Sequence, residues 1–397
     1  MTGLSDPRKR RLYMVLLANF AVFGMTVTVF GATVPRVIHD FGWGYIATGL
    51  VVSASPIGYF VSAFASGLLV ERFGAKAVIL GGLMAQAAGL AFFGSVPRVI
   101  PNLSMALGVG VGQGVTEVVT NLCVARMDRS GRSRLMSLMH GGFTLGAVMS
   151  PVLVGWAIAA GRTWQGVYQA MAVLSLIMMG GIFLFSFDPV EPEQSQSGRP
   201  PFGWLVRQPL LGLFFTAMLL FTGAELGLSS WVSQYCVKVL DLSAATGAWM
   251  VSVFWLGVLC GRIGVSALYG GPRQIDLVLV FGCSSTAVLA AFLLGSAREA
   301  PILLFATGVG YSAIYPALVA SAGHNYKHVQ AEAIGTVVTG GGMGSFLFPI
   351  MIGGIAGRWG IAAGIWFCCA ATGAGVLVAW ALRMAAGKTD VGVPQAR

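Results

Sequence analysis

Asp188-Pro189-Val190-Glu191-Pro192-Glu193-Gln194-Ser195-Gln196-Ser197-Gly198-Arg199-Pro200-Pro201, running on to Arg207, is the one long polar break in this chain, and it falls at the middle of 397 residues. Its prolines and polar side chains mark a linker. On either side the sequence is strongly apolar. Hydrophobic residues make up 56% of the chain and charged residues 10%, against about 25% charged in a soluble domain, and the mean hydropathy is +0.80. So little charge cannot cover a water-facing surface, so the apolar runs must face lipid. Helices and closed barrels span lipid because each satisfies its backbone polar groups internally. Barrel strands alternate apolar and polar over about ten residues. The runs here exceed the roughly twenty residues that a helical span needs, which selects helices.

Outward from the linker there are six apolar runs upstream, at 12–38, 44–70, 76–96, 100–126, 134–160 and 165–187. Six more follow downstream, at 208–237, 243–269, 274–295, 300–323, 329–357 and 360–384. The expected fold is an all-α membrane protein of twelve transmembrane helices in two pseudo-symmetric halves. These are a six-helix bundle at 1–187, the linker at 188–207, and a second bundle at 208–397 with a short tail.

Basic residues set the orientation. Eighteen of the 24 Lys and Arg fall in loops on the side of the amino terminus; Arg36, Arg98, Arg162, Lys238, Arg298 and Arg358 fall on the other. Lys and Arg accumulate on the cytoplasmic side, so both termini and the linker are expected inside a bacterial inner membrane. The net charge of +10 is thereby explained as a topology signal, and no nucleic-acid partner is expected. The amino-terminal run has no small-residue cleavage site and reads as a retained helix. Cys123, Cys236, Cys260, Cys283, Cys368 and Cys369 show no CxxC spacing, so neither a zinc site nor a disulfide framework is expected and they read as packing residues.

The halves repeat each other. Gly146, Pro151 and Gly155 recur as Gly344, Pro349 and Gly353. Ser53 and Gly58 recur as Ser252 and Gly257, and Gly108 and Gly110 as Gly308 and Gly310. The offsets of 198, 199 and 200 are each close to half the chain length.

The loop after the second run reads Gly67-Leu68-Leu69-Val70-Glu71-Arg72-Phe73-Gly74-Ala75-Lys76. It resembles the major facilitator loop motif, Gly-x-Leu-x-Asp-Arg-x-Gly-x-Lys, with Glu71 in place of Asp. Gly74 suits the tight turn, and an acid there can hold a neighbouring helix through backbone N–H groups or an Arg. Further segments resemble the fucose/galactose/glucose–proton symporter family within the major facilitator superfamily. These are Gly108 to Asn121, which contains Glu117 four residues before Asn121; His140-Gly141-Gly142 to Gly146; Gly223-Ala224-Glu225 with Trp231; and Trp255-Leu256-Gly257 with Gly261-Arg262. The symporters of that family also use an acid inside the first helix, whereas residues 12–38 here contain no Asp or Glu. The resemblance implies parallel halves with substrate bound between them near the midplane. It also implies alternating access, coupled to protons, for a small polar solute of the monosaccharide class, carried by a monomer in the lipid bilayer without a cofactor.

An ionised carboxylate in a bilayer is costly and usually faces the bundle interior or a water-filled cavity. Glu117 and Glu225 are therefore the candidate proton carriers. Asn121 lies one turn from Glu117 on the same face and is expected to hydrogen-bond it or a substrate hydroxyl. Candidate substrate contacts are Asn121, Gln113, Asn19, Trp231, Gln234, Trp255, Tyr311 and Tyr315, since sugars stack on rings and bond amides. Candidate gating residues are Glu71, Arg72, Arg262, His140, Arg36 and Arg358. Arg262 either snorkels to the interface or closes a gate, and His140 sits near the cytoplasmic mouth, where its charge can change near neutral pH.

No GxxxxGK[ST], HExxH or GxSxG occurs, so neither P-loop ATP use nor these hydrolytic chemistries are expected, and the chain does not read as an enzyme or a metal site. Two alternatives stay open. Gly146 to Gly155 partly resembles the helix 5 signature of drug antiporters, Gly-x-x-x-Gly-Pro-x-x-Gly-Gly, with departures at Ser150 and Val154, which would make the protein an exporter of drugs or amphiphilic metabolites. A non-transporting membrane sensor on the same fold is the other.

Overall fold

The computed structural model describes residues 7–127, 134–185, 187, 207–268 and 274–386. Helix α1 is Pro7–Phe41, α2 Tyr45–Phe73, α3 Ala75–Phe92, α4 Val99–Met127, α5 Arg134–Ala159 and α6 Trp164–Phe183. There follow α7 Pro209–Lys238, α8 Ala244–Leu268, α9 Gln274–Leu294, α10 Ala300–Tyr311, α11 Ile314–Asn325, a 3-10 turn at Lys327–Val329, α12 Gln330–Trp359 and α13 Ile361–Ala386. Counting α10 and α11 as one span, twelve helical segments among the described residues are long and apolar enough to cross a membrane. Side chains such as Phe64 (84% exposed), Leu184 (81%) and Ile100 (78%) point out of the protein. Such a belt would aggregate in water and is suited to lipid. The linker at 188–206 lies outside the described residues.

The run 300–323, expected as one helix, is broken at Ser312 and Ala313. Pro316 accounts for the break. Its ring displaces the carbonyl four residues back, at Ser312, and it has no N–H to donate there. Ser312 N–H instead bonds Val309 O at 3.2 Å, in a 3-10 turn. The prolines inside α1, α2, α5 and α12 leave those helices continuous.

Contacts divide the chain into two units, Met1–Pro192 with Val232–Ser252, and Glu193–Trp231 with Val253–Arg397. In the first, α2 and α3 pack on α4, α1 packs on α5, and α3 packs on α6. The segment 232–252 joins this unit: Ser252 Oγ donates to Val148 O at 2.8 Å and the Trp249 indole lies against Gly155. In the second unit α9 packs on α10, α11 and α13, and α12 on α13.

Bare backbone lets these helices touch. A Cβ at Gly110 would land on Ser55 O of α2, and one at Gly58 on Leu107 O of α4. The second unit repeats the device, since Gly308 meets Phe254 O and Gly257 meets Phe305 O. Gly110 therefore corresponds to Gly308. Likewise Gly112, against Gln86, corresponds to Gly310, against Ser285, an offset of 198 rather than 200 for this helix. The sequence match had aligned the glycines by spacing alone, and the partner each one touches corrects the register. Gly110→Val is expected to force α2 from α4 at a cost of about 3 kcal/mol or more. It should abolish the monodisperse peak in fluorescence-detected size exclusion. Gly81→Ala, where a Cβ meets nothing within 4 Å, should leave that peak unchanged.

The loop motif forms its turn as read. Gly74 has φ +79° and its N–H caps α2 at Val70 O, a conformation that favours glycine. The tie to a neighbouring helix comes from Lys76, whose Nζ donates to Phe183 O at 2.7 Å and sits 5.0 Å from the Phe183 ring centroid. Glu71 is exposed and has no ion pair among the described residues. None of the six cysteines forms a disulfide; Cys260 and Cys283 are exposed at the bundle surface rather than packed inside it.

Candidate functional site

In the first unit, α2 and α4 carry two polar rungs one turn apart. Ser55 Oγ donates to Gln113 Oε1 at 2.9 Å, and Tyr59 Oη donates to Glu117 Oε2 at 2.5 Å. Each rung joins residues 58 apart, which the close approach at Gly58 and Gly110 permits. Gln113 also reaches α1: its Nε2 donates to Thr26 Oγ1 at 3.0 Å, and Thr26 Oγ1 donates to Phe23 O at 2.8 Å. The amide of Gln113 is thus engaged at both ends and ties α1, α2 and α4 together immediately beside Glu117.

The lower rung has an aromatic surround. The Phe23 ring stacks on Tyr59 with centroids 6.3 Å apart at an interplanar angle of 12°. Phe143 lies 5.0 Å from Phe23, and exposed His140 meets Phe20 edge-on at 5.4 Å. Glu117, Tyr59, Phe143 and Asn121 are each partly buried, and the Asn121 Oδ1 atom is fully enclosed. The bond expected between Asn121 and Glu117 does not form. Tyr59 is the partner of Glu117, and Asn121 Oδ1 makes no hydrogen bond within the protein. Tyr59, Ser55 and Thr26 went unnoticed in the sequence. No local spacing links residues 58 apart, although two small-residue helices carrying Ser and Tyr in register were a usable signal.

Gln234 is buried and its Nε2 makes a long contact, 3.4 Å, to Tyr45 Oη. Asn19 is fully buried, and neither its Oδ1 nor its Nδ2 has a hydrogen-bond partner among the described residues.

The second unit gathers Glu225 of α7, Arg262 of α8 and Tyr311 of α10. Glu225 is 8% exposed, and both the Arg262 charge and Tyr311 act on it electrostatically. Tyr311 Oη is 2.5 Å from Thr372 Oγ1 of α13. Arg262, read as an interface or gate residue, is thus also a cation whose field reaches an intramembrane acid. The two tryptophans are buried with their indole N–H groups committed, Trp255 to Ser229 Oγ at 2.8 Å and Trp231 to Pro349 O at 3.2 Å. Tyr315, just past the broken span, is half-buried.

The remaining gating candidates lie at helix ends. Arg36 is half-buried near the end of α1 and Arg358 is exposed at the end of α12. Arg72 lies over the Phe73 ring at 5.3 Å. Among the described residues no three His, Cys, Asp or Glu side chains converge as a metal site would require.

Twelve apolar helices with an acid-bearing polar face in each unit define a polytopic membrane carrier. Residues 16–304 match the sequence model of the Major Facilitator Superfamily, and the chain belongs to that family of transporters. An uncharacterized MFS-type transporter of Yersinia pestis is 23% identical over 85% of this chain and 87% of its own length. Among solved structures, the nucleoside transporter NupG superposes with a TM-score of 0.79 at 15% identity, over 96% of this chain and 100% of that one. A D-xylose–proton symporter gives 0.73 at 13% identity, over 94% and 97%.

Proposed function

We propose that the protein takes up a small polar solute of the monosaccharide or nucleoside class by alternating access, driven by protons, with Glu117 as the coupling acid. The observation that carries this reading is the Tyr59–Glu117 rung, a partly buried acid held at 2.5 Å by a phenol, with Phe23 stacked on that phenol and Phe143 against Phe23. An aromatic face beside a carboxylate and the unengaged amide oxygen of Asn121 suits a ring that bears hydroxyl groups. The resemblance of Glu117 and Asn121 to the fucose/galactose/glucose–proton symporters supports it. So do the descriptions of the structural relatives, a D-xylose–proton symporter and a nucleoside transporter. In this reading the two functional halves are 1–187 and 208–397. Glu225, Arg262, Tyr311 and Tyr315 form the solute-contacting polar face of the second unit, and Arg36 and Arg358 are gating residues at the ends of their helices. A thermal-shift screen of purified protein against monosaccharides, nucleosides and amphiphilic drugs tests the class. Stabilisation by drugs alone would favour the exporter reading, and stabilisation by no solute the sensor.

The basic-residue asymmetry supports a reading in which both termini and the linker are cytoplasmic and the membrane is a bacterial inner membrane. A single cysteine at position 195, in an otherwise cysteine-free variant, is expected to resist an impermeant maleimide in right-side-out vesicles and to react after lysis. Labelling in intact vesicles would reverse the orientation.

A further inference from the structure

Buried threonines in these helices almost all spend their hydroxyls on the backbone of their own helix. Thr28, Thr33, Thr48, Thr144, Thr307 and Thr372 each donate to the carbonyl four residues back, and Thr26 to the one three back. Thr116 and Thr120 of α4 are the two exceptions among the described residues; both are at most 1% exposed and their hydroxyls meet no protein partner. Asn19 of α1, 1% exposed, has neither Oδ1 nor Nδ2 bonded. Two other buried amides in the same unit are fully used, whereas Gln86 and Gln234 each bond only through Nε2 and leave Oε1 unbonded. Asn102 bonds Gly94 N–H, Val96 O and Arg98 O, each at 2.7 Å, and Gln113 bonds at both ends.

These three residues share one seam. Thr26 and Gln113 join α1 to α4. Asn19 lies seven residues before Thr26 and Thr120 seven after Gln113, which is two turns, or about 10.5 Å, along each helix. The two helices run in opposite directions, so Asn19 and Thr120 fall at the same level, with Thr116 one turn away on the same face of α4. Leu16, Phe20 and Phe23 of α1 and Val119 and Val124 of α4 belong to one buried apolar cluster, and none of them offers a side-chain polar partner.

We propose that Asn19, Thr116 and Thr120 hold bound water between α1 and α4, as a second tie below the direct Gln113–Thr26 bond. The set suits water, which needs two to four polar partners and little space: it offers an amide donor, an amide acceptor and two hydroxyls that both donate and accept. A cation fits poorly, because the three residues bring no charge and α4 is unbroken here, so its carbonyls are spent within the helix. A sugar-sized solute does not fit a seam closed by buried Leu16, Phe20 and Val119.

A double-mutant cycle read by thermal unfolding of purified protein without substrate tests this. Asn19→Leu and Thr120→Val are each expected to lower the apparent Tm by about 2–4 °C. The double variant should fall no further than the worse single, because either change evicts the same water. A rise in Tm for Asn19→Leu would mean a dry site relieved of a stranded amide, and additive losses would mean no shared water; either overturns the proposal. A second measurement needs only the parent protein: millisecond X-ray radiolysis in oxygen-18 water should label Phe20, Phe23 or Val119, buried side chains beside the site. No label on these residues would also overturn it.

Discussion

Glu117→Gln is expected to hold the accumulation ratio of the transported solute at one in proteoliposomes, whatever proton gradient is imposed, while counterflow of the same solute continues. The argument is thermodynamic before it is structural. One charge moved through about 100 mV is worth about 2.3 kcal/mol, which at about 1.4 kcal/mol per tenfold supports roughly fifty-fold accumulation. A carrier that binds solute but cannot take and release the proton has no access to that work. The amide of Gln fills the same volume and still accepts from Tyr59, whose hydroxyl reaches Glu117 Oε2 at 2.5 Å. The α2–α4 rung and the Gln113 tie above it therefore persist, and exchange is preserved. Tyr59→Phe makes the complementary case: it deletes one hydrogen bond and keeps the carboxyl, so uphill uptake should continue. Full accumulation by Glu117→Gln at normal protein levels would sink the assignment and turn attention to Glu225, the acid of the second unit.

The distribution of apolar residues made the fold legible because a bilayer imposes one demand on every span. Twelve runs, the central break and a glycine repeat were all visible without a structure. The repeat was legible to within two residues because glycine marks backbone contact in both units. It was misaligned at Gly110 and Gly310 because spacing cannot say which neighbour a glycine touches. The broken span was readable in hindsight from Pro316. The site was harder. Glu117 and Glu225 stood out as rare acids in apolar runs, but their partners are set by helix packing. Tyr59 is 58 residues from Glu117, and Arg262 belongs to a different helix from Glu225. Trp231 and Trp255 read as stacking platforms for a sugar, yet both are buried with their N–H groups bonded inside the second unit. A tryptophan's spacing in sequence does not distinguish a wall of the cavity from a strut behind it.

Arg262→Gln is expected to cost about 1–3 kcal/mol, because it removes the cation whose field reaches buried Glu225. Glu225 is 8% exposed in a chain that packs against lipid, and the Arg262 guanidinium is the cation that acts on it. Solvating either charge alone in this setting is expensive, and removing one partner leaves the other uncompensated. The pair does not have to be strongly stabilising for this to hold. Replacing both partners by neutral residues costs far less than removing one, because desolvation of the ions and their attraction largely offset. The Glu225→Gln/Arg262→Gln double variant should therefore recover most of the apparent Tm and the monodisperse yield lost by Arg262→Gln. Arg262→Lys should fall between, since an ammonium keeps the charge but not the planar fork. If both single variants match the parent in Tm and yield, or the double is worse than either single, Glu225 and Arg262 are not each other's compensation. Arg262 would then return to the interface or gate role that its place in the sequence first indicated. Transport separates the pair from the first-unit acid: the double variant is expected to bind solute more weakly but still to accumulate it against its gradient, which Glu117→Gln alone prevents.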